Sequence, residues 1–280
     1  MYRKLKMMLG AAMLLLASQT ALAADPIRFA LCYDLTKAYT FISPQVAQAA
    51  KDYAALVNLK GGLEGNPVEI ILQDHGNEPQ RGIECYERVK DQAVTVDLLS
   101  TPVSRAVLPR AMKDGKVMIQ ALVGRGDAVD GDVFKWVFPL GPTYWGQAVN
   151  VVSHFKKQSG GSLKGKKIAF LYIDYPFGQE PIPVLKELQK REGFELELFP
   201  YPLPGSDQSS AWSQIRRFQP DWVVLWSFSP LNPISFRRSS RSNPLITEIT
   251  TINAVTPSAM PSIDTSEMKE MKWLRRLAPV

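Results

Sequence analysis

The stretch "GGSLKGKKIAFLYIDYPFG", residues 160–178, decides between two architectures. Gly160, four residues and then Gly165-Lys166 match a phosphate-binding loop, G-x-x-x-x-G-K-[ST], until Lys167 stands where Ser or Thr is required. A working loop of that kind follows a strand and opens a helix, so that backbone N–H groups face phosphate. Here the order is reversed. "HFKKQSGGSLKGKK" ends a helix and turns, and "IAFLYI" begins a strand. The stretch is a Gly/Lys turn inside an alternating α/β chain, and a nucleotide enzyme is excluded on that context.

Working outward, the alternation continues in both directions. Downstream, "PIPVLKELQKREG" predicts a helix, "FELELFPYP" a strand, "SSAWSQIRRFQP" a helix and "DWVVLWSFS" a strand. Immediately upstream, "TYWGQAVNVVSHFKKQ" (143–158) predicts a helix. The N-terminal half repeats the pattern. "IRFALCY" (27–33) is a strand, with Phe29, Leu31 and Tyr33 on one face and Arg28, Ala30 and Cys32 on the other. A helix through "PQVAQAAKDYAALVNL" begins at Pro44 and stops at Gly61-Gly62. Strands at 67–74, 94–100 and 116–122 alternate with the helices "EPQRGIECYERVKDQ" and "RAVLPRAMKDG", the latter broken near Pro109.

Helices between strands imply parallel sheets covered on both faces. The chain exceeds one typical core, so it divides into two units, with "FPLGPTYW" (138–145) as the crossover. The expected organisation is a leader at 1–23, a first lobe at 24–141, a second at 142–236 and a divergent tail at 237–280. If the first strands run in the order 2-1-3-4, the second helix crosses above the first strand and Cys85 can reach Cys32. A disulfide and two buried free thiols are both open readings of this pair.

The N-terminus carries an address. Arg3, Lys4 and Lys6 precede the apolar run "MMLGAAMLLLA" and the small-x-small site Ala21-Leu22-Ala23. This is the pattern of a secretory signal cleaved near Ala23, too short for a stable membrane span. Cleavage lowers the formal charge from +6 to +3, and residues 237–280 carry the remaining +3. The body is neutral and shows no basic stripe interleaved with aromatics, so nucleic acid is not an expected partner. The mature chain is expected to be periplasmic, soluble and monomeric.

The sequence offers no catalytic constellation. His75 and His154 are its two histidines, each read as solvated or hydrogen-bonded. No G-x-S-x-G elbow, metal-ligand spacing or G-x-G-x-x-G occurs, so neither catalytic residues nor a cofactor or metal is expected. Arg125-Gly126-Asp127 spells an adhesion tripeptide by coincidence. What remains is a cleft, because ligands of open α/β sheets bind beyond the carboxyl ends of the strands. "LSTPVS" (99–104), "ALVGRGD" (121–127), "DYPFG" (174–178) and "WSFSP" (226–230) occupy that position. Ser100, Thr101 and Ser104 begin a helix, where they serve as caps or hold a ligand carboxylate.

At these residues the chain resembles the type I periplasmic solute-binding proteins of the Leu/Ile/Val-binding family, which serve ABC importers. "GGLEGNPVEIILQD", "STPVSRAVLP" and "KKIAFLYIDYPFGQEPIPVLKELQKREGFEL" carry the likeness, in order, over about 27–236. The resemblance implies two Rossmann-like lobes, hinged, closing on an amino acid or related small polar ligand and delivering it to an inner-membrane permease. It implies that Thr101 and Ser104, beside Ser100, hold a carboxylate. Val123 and Gly124 offer backbone groups, Phe177 covers the ligand, and Phe228 and Ser229 line the far wall. Tyr144 and Trp145 add an aromatic wall. An extracytoplasmic sensing module is the alternative with the same fold. Two departures stand out: the first loop, "DLTKAYTF", lacks the family's Gly-rich turn, and the pattern stops after Phe236. The expectation there is a truncated or frame-shifted product with an incomplete second lobe.

Overall fold

The computed structural model describes residues 25–228 together with 231, 234 and 235. The leader at 1–23, Ser229 and the tail at 237–280 lie outside the described residues.

Two parallel sheets form. The first has the strand order β2-β1-β3-β4-β5, from Val68–Asp74, Ile27–Tyr33, Thr95–Leu98, Val117–Gln120 and Val137–Pro139. The second has the order β7-β6-β8, from Glu195–Tyr201, Lys167–Ile173 and Trp222–Trp226. Both sheets therefore open the same way, with the second strand of each placed outside the first. Seven α-helices connect them: α1 Ser43–Leu59, α2 Pro79–Val89, α3 Thr101–Asp114, α4 Tyr144–Gln158, α5 Pro176–Gln179, α6 Ile182–Glu192 and α7 Ser209–Phe218.

Strand alternation places each core. On β1, Ala30 and Cys32 pack under α2 and α3 with Val96, Leu98 and Val103. Leu31 and Tyr33 face α1 and Ala47 on the other side. On β6, Ile168, Phe170 and Tyr172 pack against α4 and α6, while Ala169, Leu171 and Ile173 meet α7 through Trp212 and Ile215. With α2 above β1, Cys32 and Cys85 form a disulfide, Cα to Cα 6.2 Å.

Two local expectations are corrected. The third helix is not broken near Pro109; it starts at Thr101 and runs through to Asp114. Pro109 sits on the exposed side of α3, while Val103, Val107, Leu108 and Ala111 are buried. The carbonyl that proline leaves unpaired one turn earlier can meet water, and burial of the opposite face holds the helix together. Residues 137–139 are not connector but a fifth strand, paired with β4. The turn at 160–165 joins α4 to β6 and takes positive φ at Gly160, Gly161 and Gly165, with no helix after it to bind phosphate.

Candidate functional site

The carboxyl ends of β1, β2, β3, β4, β6 and β8 converge between the sheets, and buried polar groups organise the loops after β1 and β2. After β1, Asp34 is fully buried and accepts the N–H groups of Thr36 at 3.2 Å, Lys37 at 2.8 Å and Tyr39 at 2.9 Å. These three bonds hold a tight turn without a glycine run, which explains how "DLTKAYTF" departs from the expected turn. They also project Tyr39 and Phe41 toward the second lobe, where their rings lie 5.2 and 5.8 Å from Phe228.

After β2, Asp74 accepts Leu35 N–H, Gly76 N–H, the Thr36 hydroxyl and Arg81. The backbone and side-chain donors hold its carboxyl below the usual carboxylate range against the opposing effect of burial. His75 is fully buried rather than solvated, and its Nδ1 accepts Asn77 N–H at 3.0 Å. Burial pulls its imidazole down to about 4, with the Asp34 and Asp74 carboxylates opposing. His75 therefore stays neutral and fixes the turn that presents Asn77.

Asn77 then spans the cleft. Its Nδ2 donates to the Tyr175 hydroxyl at 2.7 Å and its Oδ1 accepts the Ser100 hydroxyl at 2.7 Å. Ser100 is the cap of α3, accepting Val103 N–H through Oγ. The Ser104 hydroxyl donates back to Leu98 C=O at 2.8 Å. Of the three predicted hydroxyls, Ser100 and Ser104 are thus committed within the lobe. Thr101 Oγ1 is buried without a hydrogen bond of normal geometry. Around it stand two phenols: the Thr101 N–H faces the Tyr39 oxygen, and the Tyr144 oxygen faces the Thr101 hydroxyl and Gly124 N–H. Burial raises both phenols above their ordinary range, so both are neutral.

After β4, Val123 is buried and Gly124 C=O accepts Tyr144 N–H at 2.6 Å. A Cβ on Gly124 would lie 2.7 Å from Pro142 O and 3.1 Å from the Tyr144 ring. On Gly126 it would stand 2.2 Å from the Trp145 ring. These glycines are needed because two aromatic rings lie directly on the loop. Arg125 and Asp127 pair with each other, which leaves the tripeptide folded inward. Nearby, Glu180 of the second lobe is buried and pairs with Arg105 of α3. Its Oε1 accepts Gly126 N–H at 3.3 Å and its backbone C=O accepts Trp145 Nε1–H at 3.0 Å.

The second lobe supplies ring surfaces. Phe177 stacks on Phe228 at 5.3 Å and 11°, and meets Tyr144 edge-on at 5.2 Å. Trp226 lies 6.0 Å from Tyr144 and 6.1 Å from Phe177. Its Nε1–H is buried without a partner. The structure thus brings together Ser100, Thr101, Gly124, Tyr144, Phe177 and Phe228 from the sequence reading. Trp145 sits behind the cleft, clamped on Gly126 and Glu180. Sequence reasoning placed Trp226 in the cleft segment 226–230 without giving it a role, and missed Tyr39, Phe41, Asn77 and Glu180. The aromatics of "DLTKAYTF" were the available signal, since they follow a strand end. Among the described residues no group of three or more His, Cys, Asp or Glu side chains could hold a metal ion.

This is the geometry of a two-lobed binding protein. The chain matches the family described as periplasmic binding protein over residues 26–236 and belongs to it. A structure from the Pseudomonas fluorescens group, described as an ABC transporter permease, is 33% identical with TM-score 0.65, over 78% of this chain and 54% of that one. A branched-chain amino acid ABC transporter protein from Thermus thermophilus, with bound valine, gives TM-score 0.71 at 14% identity, over 79% and 57%. A fatty acid ABC transporter substrate-binding protein from Thermomonospora curvata gives TM-score 0.68 at 22% identity, over 78% and 55%. The chain spans just over half the length of these structures. No curated protein matches it. The family is one of solute-binding proteins, not of enzymes.

Proposed function

We infer that the chain is the substrate-binding component of an ABC importer, taking an amino acid or a related small polar ligand between lobes at 24–141 and 142–236. The observation that carries this reading is the pair of polar bridges across the cleft, Asn77 to Tyr175 and Arg105 to Glu180. They flank the start of α3, where unpaired backbone N–H groups and the helix dipole favour a carboxylate. Lobes joined by exchangeable polar bonds and by ring contacts can separate and close again, and a ligand that contacts both shifts that equilibrium. In this reading Ser100 and Ser104 shape the helix start and Thr101 contacts the carboxylate. Val123 and Gly124 form the adjoining loop, with Phe177 and Phe228 as the opposite wall. The partner is an inner-membrane permease, and the protein acts as an exported monomer in the periplasm after cleavage near Ala23, without cofactor, metal or nucleic acid.

Thermal unfolding with and without a panel of amino acids and small carboxylates tests the reading. A ligand at about a thousand times its dissociation constant adds roughly 4 kcal/mol. A transition that moves with no member of the panel would count against it. Ligand uptake by vesicles containing the permease separates an importer component from a sensing module, which would leave uptake unchanged.

A further inference from the structure

We propose that His75 is an acid-operated release for the lobe contact: a proton on its Nδ1 frees the turn that carries Asn77 and so breaks the bond from Asn77 to Tyr175 across the cleft. This rests on the reading of two lobes that open and close, and it names what regulates that same cleft. Gly76 and Asn77 both take left-handed backbone, at φ 53° and 58°. An L side chain adopts that conformation only where its surroundings hold it. Here two side chains hold it. Asp74 Oδ1 accepts Gly76 N–H at 2.9 Å, and His75 Nδ1 accepts Asn77 N–H at 3.0 Å. With the backbone set in this way, the Asn77 carboxamide accepts the Ser100 hydroxyl and donates to the Tyr175 hydroxyl, each at 2.7 Å. The Nδ1 lone pair of His75 therefore supports one of the two polar bridges between the lobes.

Nδ1 accepts a bond only while it is unprotonated, so the neutral ring carries its proton on Nε2, toward the Cys32 C=O. In the imidazolium both nitrogens are donors. A proton taken from solvent onto Nδ1 would then face Asn77 N–H across 3.0 Å, donor against donor. Turning the Asn77 amide away relieves the clash and withdraws the carboxamide from Tyr175. The charged groups facing the ring are Asp34 from the loop after β1, Asp74 from the end of β2 and Arg81 from α2. The two carboxylates favour the proton, and Arg81 opposes it. Both carboxylates are already held by other donors, Asp34 by three backbone N–H groups and Asp74 by Leu35, Gly76, Thr36 and Arg81. Across the cleft, burial raises the Tyr175 phenol, which stays neutral throughout. Burial of the ring outweighs the two carboxylates and holds it at about 4, below its ordinary 6.5. Closure is therefore fully favoured above pH 6.5 and is lost as pH falls toward 4, by up to about tenfold in the open-to-closed ratio per pH unit.

The experiment is a distance measurement between the lobes, by double electron–electron resonance on the full chain. Spin labels are placed by Leu59→Cys on α1 and Lys190→Cys on α6, two exposed positions. Cys32 and Cys85 are the chain's two natural cysteines and pair with each other, so the labels go to the introduced thiols. Distances are recorded from pH 7.5 to 4.5, with circular dichroism confirming the folded chain at each step. The expected result is a rise of at least about tenfold in the ratio of the longer to the shorter distance between pH 6.5 and 4.5. His75→Asn, whose Oδ1 can stand in for Nδ1 but takes up no proton in this range, should keep the neutral distribution throughout. Tyr175→Phe should show the longer distance already at pH 7.5 and lose about half or more of the acid response. It covers the case in which the His75 variant fails to fold. A parent distribution that does not change with pH overturns the inference. So does a response that His75→Asn retains, which would move it to another group such as the Glu180 carboxylate of the second bridge. A Tyr175→Phe response equal to the parent's overturns the assigned contact. Each of these leaves the solute-binding reading standing. One fixed distance in every variant, and with every member of the ligand panel, removes that reading and this inference together.

Discussion

The two lobes open with the same strand order but are held by different chemistry. The first has a core of small apolar side chains, Ala30, Val96, Leu98, Val103 and Val107, tied by a disulfide and threaded with buried polar groups. Asp34, Ser43, His75, Asp97, Ser100, Thr101, Ser104, Gln120 and Asp127 are all buried there. The second lobe buries Phe170, Tyr172, Phe194, Phe199, Trp212, Phe218 and Trp226, and Glu180 is its one buried charged residue among those described. Polar groups in fixed hydrogen bonds give direction, whereas ring faces give area. On the proposed binding reading, the first lobe would position the ligand's polar end and the second would cover its body.

Breaking the covalent tie should have the largest effect. The bridge closes a loop with a sequence separation of 53, and the chain-entropy model puts its contribution at about 4 kcal/mol. Replacing Cys32 and Cys85 by alanine should lower stability by that order, measured by urea denaturation. A loss below about 1 kcal/mol would mean that the polar network alone pins the first lobe.

Next comes the buried titration pair of the first lobe. His75 is held at about 4 by burial, against an ordinary 6.5, so the unfolded chain takes up this proton first as pH falls. Its contribution is complete above pH 6.5 and is lost progressively down to pH 4, roughly 3 kcal/mol in all. Asp97 is raised by burial to about 6, against 3.8, so the folded chain holds its proton longer. Its contribution is complete below pH 3.8 and is lost as pH rises through 6, by a similar amount. The two slopes oppose each other between pH 4 and 6. Asp97→Asn removes one of them, so the variant should lose roughly 3 kcal/mol between pH 6.5 and pH 4, where the parent changes far less. Denaturant midpoints across that range measure it; parallel profiles would mean that one of the two groups titrates normally.

The contact between the lobes is expected to be weaker. Arg105→Ala leaves the Glu180 carboxylate with Gly126 N–H as its remaining partner. Because the Arg105 side chain is 43% exposed, water screens the pair, and the loss should be about 1–2 kcal/mol. It should appear as faster ligand release, measured by stopped-flow fluorescence, rather than as a lower melting temperature of either core. The smallest effect belongs to Arg28 and Glu69, an exposed pair at 2.8 Å between β1 and β2. Arg28→Ala should change stability by less than about 0.5 kcal/mol. A larger change would mean that surface charge contributes to holding the first lobe as well.

The structure also marks where sequence reading ends. "IRFALCY" and "KKIAFLYI" announce buried strands because alternation and apolar runs are local signals. Pro109 predicts a break in helix α3 because proline has a strong local penalty, while the burial that overrides it depends on β3 and α2. The strand at Val137–Pro139 is three residues long and pairs with β4 through a register that no nearby residue encodes.

By itself, the sequence determined the alternating α/β order, the two parallel sheets, the turn at 160–165 and the hydroxyl-bearing helix start at 100–104. These follow from periodicity, chain punctuation and capping, which act over a few residues. Only the tertiary structure decided that Cys32 meets Cys85, that Asp34 builds the first loop in place of glycines, and that Asn77 reaches Tyr175. It alone gathered Tyr39, Phe41, Tyr144, Phe177, Trp226 and Phe228 into one cluster between the lobes. Apart from the Asp34 turn, whose bonds span two to five residues, those contacts join residues tens to about two hundred positions apart. They exist because two lobes with different interiors press their strand ends together, and no local pattern records which side chains will meet there.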